Sequence, residues 1–199
     1  MLVRSTTPGP LKILIVDVTR NANGFEHEVS SHMTAELIQR GVPVTDNSPA
    51  LVDDEKQFSN AFSSAESFSV ALLVAHGTED LGGDEASQLA GPGSVDEWFS
   101  TAALTEQMQD KLLLLCVCHG YSPDAIDAFV RDTSLVLSIV APTSALEASE
   151  AKAFFPNFLE ALQPTSAIEI DPIVVEEKLE QTNHYSGGKM KLFSQGLPS

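Results

Sequence analysis

Basic residues are scarce in this chain: 11 Lys and Arg stand against 28 Asp and Glu, for a net charge of −17. Phosphate contacts need clustered cations, so this balance argues against nucleic acid as a partner. Cysteine is scarcer, with two residues, Cys116 and Cys118, separated by a single valine. Such close positions on one strand do not present disulfide geometry, so no disulfide framework is available and reduced thiols are expected, as in cytoplasm. No segment approaches the ~20 apolar residues of a membrane span, and Met1 to Pro10 lacks the apolar stretch of a signal peptide. The glycine-rich stretch GGDEASQLAGPGS, before Val95, has neither the glycine spacing nor the lysine of a phosphate-binding loop, and it reads as a surface loop or a mobile active-site segment. The expectation is a soluble intracellular protein without membrane or nucleic-acid partners.

What is present is enough apolar material for one core: 199 residues, 43% hydrophobic. A single domain over 1–199 is expected, with 1–10 and 194–199 as loose termini. Four short apolar runs punctuate the chain, LKILIVDV (11–18), FSVALLVA (68–75), KLLLLCV (111–117) and LVLSIV (135–140). They scarcely alternate, as strands covered on both faces require, and predict a parallel sheet.

Helical spacing fills the intervals. Phe25, Val29, Met33 and Leu37 recur at i, i+4, and the pattern stops at Gly41 before Pro43. Asp53 and Asp54 open a second helix carrying Phe58, Ala61, Phe62 and Ala65. A capping box, Ser94 with Glu97, predicts a third with Val95, Trp98, Phe99 and Leu104 inward. Ser122-Pro123 opens a fourth with Ile126, Phe129 and Val130. Glu147 to Leu162 reads as a fifth, kinked or split at Pro156. Val42 to Thr45 offers a short strand, and the tail offers strands at Ile168 to Ile170 and Lys189 to Phe193 around a helix from Val174 to Gln181. This alternation predicts an α/β three-layer sandwich with a mostly parallel central sheet.

Two of the four runs end in a reactive side chain near a glycine: the second in His76-Gly77, the third in Cys118-His119-Gly120. Parallel strands share one carboxyl edge, where ligands bind, so His76 and Cys118 are expected on that edge. Whether their strands are neighbours is not written in the sequence. A thiol is a weak nucleophile at neutral pH until an imidazole or a helix N-terminus favours the thiolate, and the helix expected after Ser122 would add the second effect. The N–H groups of Gly77 and Cys118 could form an oxyanion hole.

Ala75-His76-Gly77 after one apolar strand and Val117-Cys118-His119-Gly120 after the next resemble the caspase-like cysteine peptidases: caspases, metacaspases and CHAT-domain proteases. The resemblance extends in element order from the first strand to the Phe-rich helix, and QTNHYSGGKMKLFSQG is similar to the family's closing strand. It implies a caspase-like domain in which Cys118 is the nucleophile, His76 the general base and Gly77 an oxyanion donor, hydrolysing a protein or peptide substrate through a thioester. No cofactor and no metal are implied. Metacaspases carry an acid two positions before the nucleophile and caspases a glutamine; here that position is Cys116. Caspases also use an arginine from just after the first strand, where this chain has Arg20. Arg20, Asp17 and Cys116 are therefore the substrate-binding candidates, with Glu26 and Asp124 as further carboxylates. The family also implies a homodimer through the edge strand near the C-terminus; latency released by an activating partner protein or by self-cleavage stays open, and the small size of the chain suggests that activation comes from outside.

Other readings compete. A cysteine ending a buried strand is often only a small apolar residue, and packing is the expected role of Cys116. Cys116-Val117-Cys118-His119 has zinc-ligand chemistry, but the second ligand pair would have to come from distant His27, His32 or His184. His119, His27 and His32 read as bystanders. LLVAHGTED resembles the LLV-x-HG stretch of sirohydrochlorin chelatases, although that motif normally lies on a first strand and would leave Cys118 without a task. A catalytically inactive caspase-like interaction module is the third alternative.

Overall fold

The computed structural model describes residues 11–18, 25–63, 67–76, 88–90, 98–100, 108, 111–118, 138–163 and 170–194. β1 (Ile13–Val18) is buried along its whole length, as its apolar run demands of a strand covered on both faces. It leads to α1 (Phe25–Gln39), β2 (Ala50–Val52), α2 (Glu55–Ser63) and β3 (Val70–His76). A short antiparallel pair, β4 (Gln88–Ala90) with β5 (Trp98–Ser100), precedes β6 (Leu112–Cys118) and β7 (Ser138–Pro142). Then come α3 (Ala148–Leu162), α4 (Pro172–Thr182), a 3-10 turn over Asn183–Ser186, and β8 (Met190–Ser194).

The main sheet has six strands in the order β2-β1-β3-β6-β7-β8. All neighbouring pairs are parallel except β7 with β8. On one face Ile13, Ile15, Leu72, Val74, Leu114 and Cys116 pack with residues of α1, α3 and α4, including Met33, Phe154, Phe158 and Val175. On the other, Leu14, Val16, Leu73 and Leu115 pack with Phe58 and Phe62 of α2. Each fully buried Phe or Leu contributes roughly 1.5–3 kcal/mol of transfer free energy, so these two layers dominate the fold's stability. The three-layer α/β sandwich is thus observed.

Local chemistry sets the element ends. Gly41 adopts φ +74°, and its N–H reaches Ile38 O at 3.0 Å while that of Val42 reaches Leu37 O at 2.9 Å. This is a Schellman stop, closed by Pro43. Asp54 Oδ1 accepts from Gln57 N–H at 2.7 Å, capping α2, and Asp171 Oδ1 accepts from Ile173 N–H at 2.9 Å, capping α4 with Pro172 in its first turn. At α3 Glu147 and Glu150 form a capping box. Arg40 ties α1 to α3 through Asn157 and Glu160, and Lys152 pairs with Glu28 across the same boundary.

Four expectations change. The edge strand is Ala50–Val52, whereas Val44 makes a single parallel bridge to Ile13. Trp98–Ser100 is a strand, not the inward face of a helix, and its partner Gln88–Ala90 lies in the glycine-rich stretch read as loop. Large aromatics suit a pleated surface, and here cross-strand pairing prevails over the capping pattern. Pro156 does not split α3, which is one continuous helix. The lost N–H bond is outweighed by the burial of Phe154, Phe155 and Phe158 around it. Ile170 is buried just before α4, outside any strand; 168–169 lie outside the described residues. Ala65, the helix expected at Ile126 to Val130, and Val95 and Leu104 also lie outside them.

Candidate active site

β1 sends α1 to one face of the sheet and β2 sends α2 to the other, so the strand order reverses between β1 and β3. In an open α/β sheet the crevice for ligands lies at the carboxyl ends of the strands beside such a reversal. β3 lines that boundary, and its other neighbour is β6. Their register pairs Val74 with Cys116, Ala75 with Val117 and His76 with Cys118. The backbones of His76 and Cys118 therefore end adjacent parallel strands as direct partners, about 4.8 Å apart in the pairing direction. The period of two assigns both positions to the face that carries Val74 and Cys116, beneath α1 and α3.

β1 contributes Asp17, the register partner of Val74 on the opposite side of β3. Asp17 is fully buried, and its Oδ2 accepts a hydrogen bond from Ser30 Oγ at 2.5 Å. His27 Nδ1 lies 3.3 Å from the same oxygen. Both partners stand on the first turns of α1, whose positive end favours a carboxylate. Thr34 Oγ1 donates to Ser30 O at 2.8 Å, which continues this buried polar line along the helix. Asp17 is thus engaged by α1 rather than facing solvent.

Cys116, 1% exposed, packs in the apolar layer beneath α3, in keeping with its expected packing role. Gly77, Arg20, His119, Gly120, Ser122, Pro123 and Asp124 lie outside the described residues, and of Glu26 only the helical backbone is described. His32 is exposed on α1, and exposed His184 lies against Tyr185 with ring centroids 4.0 Å apart and the rings tilted by 37°. Among the described residues no group of three or more His, Cys, Asp or Glu is arranged to hold a metal ion, and no helix is long and apolar enough to cross a membrane. Sequence reasoning passed over Ser30 and treated His27 as a bystander. The available signal was an acid inside an apolar strand, ILIVDV, followed by two hydrogen-bonding residues at i, i+3 on the next helix.

No protein-family model and no curated protein matches the sequence. Solved structures match the fold. A secreted C11 cysteine protease from Bacteroides thetaiotaomicron, in complex with an irreversible peptide inhibitor, aligns with a TM-score of 0.53 at 14% identity, covering 85% of this chain and 57% of its own. The Arg-specific cysteine proteinase gingipain R aligns with a TM-score of 0.50 at 12% identity, covering 92% of this chain and 46% of its own. The fold is that of the caspase-like cysteine peptidases. The chain spans about half the length of these solved structures. At such identity the likeness concerns the caspase-like architecture, and the chemistry has to be argued from the residues of this chain.

Proposed function

We propose that this protein is a cysteine endopeptidase acting through a Cys118–His76 dyad. The observation that supports the reading is the register of β3 with β6, in which His76 and Cys118 are partners at the carboxyl edge of a caspase-like sheet. His76 accepts the thiol proton of Cys118, and the thiolate attacks the scissile carbonyl carbon. The N–H groups of Gly77 and Cys118 donate to the oxyanion that forms. Collapse of the tetrahedral intermediate expels the amine, which takes the proton from His76 and leaves a thioester. Water then gives a proton to His76 as its oxygen attacks the thioester; the acid product departs and Cys118 regains its proton. Substrates are proteins or peptides, and an activating partner protein relieves latency.

Alkylation at pH 6, followed by peptide mass mapping, tests the dyad. Cys118 is expected to be modified much faster than Cys116 in the wild type, and that advantage is expected to collapse in His76→Ala. Equal, slow modification of both cysteines, persisting with a candidate activator, would sink the reading and favour an inactive interaction module.

A further inference from the structure

Among the described residues, the Asp17–His27–Ser30 cluster groups titratable side chains at the carboxyl edge that the dyad chemistry leaves unused. As an ionised carboxylate Asp17 is an acceptor only, and its Oδ2 faces both the Ser30 hydroxyl and His27 Nδ1. The imidazole therefore carries its proton on Nδ1, and Nε2, on the opposite side of the ring from Asp17, keeps a lone pair. A buried carboxylate behind an imidazole fixes the tautomer and the orientation of the ring, the device that orients metal-bound and catalytic histidines. Exposure is divided accordingly: the side chain of Asp17 is 0% exposed and that of His27 33%. The ring can be reached from solvent and the carboxylate cannot.

Its position is what gives the pair a task. Asp17 is in register with Val74, two residues before His76 on the neighbouring strand. One strand spacing and two residues of rise put the Asp17 and His76 backbones about 8 Å apart. α1, which carries His27, packs on the sheet face to which the His76 and Cys118 positions belong. A peptide spans ~3.3–3.6 Å per residue, so one presenting its carbonyl at Cys118 reaches this ring within a few residues.

We infer that His27 is a substrate-recognition residue and Asp17 its positioning residue: Nε2 of His27 accepts a hydrogen bond from a donor of the bound peptide beside the scissile bond. The inference rests on the peptidase reading above. It differs from direct recognition by Asp17, whose carboxylate α1 closes off.

Two readouts on the full chain test it. The first is the 15N spectrum of the labelled imidazoles: His27 is expected with its proton on Nδ1, and a proton on Nε2 overturns the inference. The second compares the rate at which Cys118 reacts with a peptidyl chloromethyl ketone and with iodoacetamide. The ratio of the two rates is expected to fall about tenfold in His27→Gln, the loss of one hydrogen bond, and to stay at the wild-type value in the His32→Gln control. An unchanged ratio in His27→Gln overturns the role of His27 and leaves the dyad standing. A wild-type Cys118 that the peptide reagent does not modify faster than Cys116, with a candidate activator present as well as without it, overturns the peptidase reading itself and this inference with it.

Discussion

His76 and Cys118 are the last register partners of β3 and β6, so their backbones stand side by side where two parallel strands end. From this relationship we predict that Cys118→Ala and His76→Ala each abolish hydrolysis of protein and peptide substrates while circular dichroism and the unfolding midpoint stay near wild type. Cleavage retained by either variant in a fluorogenic peptide assay would count against the assignment.

Cys116, two residues earlier on the same strand, packs in the apolar layer beneath α3. Cys116→Ser places a hydroxyl in that layer and is expected to cost about 1–3 kcal/mol of stability, with a smaller effect on hydrolysis. Urea denaturation monitored alongside peptide cleavage separates the two effects; an unchanged midpoint would show that the layer tolerates the polar group.

Gly41 ends α1 at φ +74°, with no atom within 4 Å of where a Cβ would stand. Space is therefore not the constraint; the left-handed backbone is. Gly41→Ala is expected to destabilise by about 1–2 kcal/mol through that conformation alone. A thermal melt showing no change would mean that the helix end relaxes to another stop.

Glu150 links the start of α3 to the residue preceding β8. Lys189 Nζ donates to its Oε2 at 2.6 Å, and Glu147 N–H donates at 2.9 Å; the Lys189 bond first and the backbone bond second hold its carboxyl below the usual glutamate range. A carboxyl depressed in the folded state contributes stability that is fully present above the unfolded glutamate value, near ~4.3, and is lost as pH falls through the lower folded value. Glu150→Gln is thus expected to be less stable than wild type at pH 7, by about 1 kcal/mol for a partly exposed pair that solvent still screens, and to match it under strong acid. A difference that persisted at low pH would show that the charge is not its source.

Much of the architecture was legible because it is written in local patterns. The near-continuous apolar runs at 11–18, 68–75 and 111–117 became β1, β3 and β6, and the i, i+4 spacing that stops at Gly41 became α1 with its Schellman end. The Ser94–Glu97 signal misled because Trp98–Ser100 found a strand partner, a contact no cap pattern encodes. β2 was misplaced at Val42 to Thr45 because three residues at a sheet edge carry little periodicity, and only pairing with β1 distinguishes Ala50–Val52.

The sequence by itself determined the central strands β1, β3 and β6, the helices that cover them and which residues with reactive groups end those strands, since side-chain periodicity and capping act over a few residues. Tertiary structure alone decided that β3 lies between β1 and β6, that His76 is opposite Cys118, and that Asp17 is closed beneath His27 and Ser30 rather than open to solvent. Those outcomes depend on pairing and burial between segments far apart in the chain, where the free energy resides in packing rather than in any local propensity.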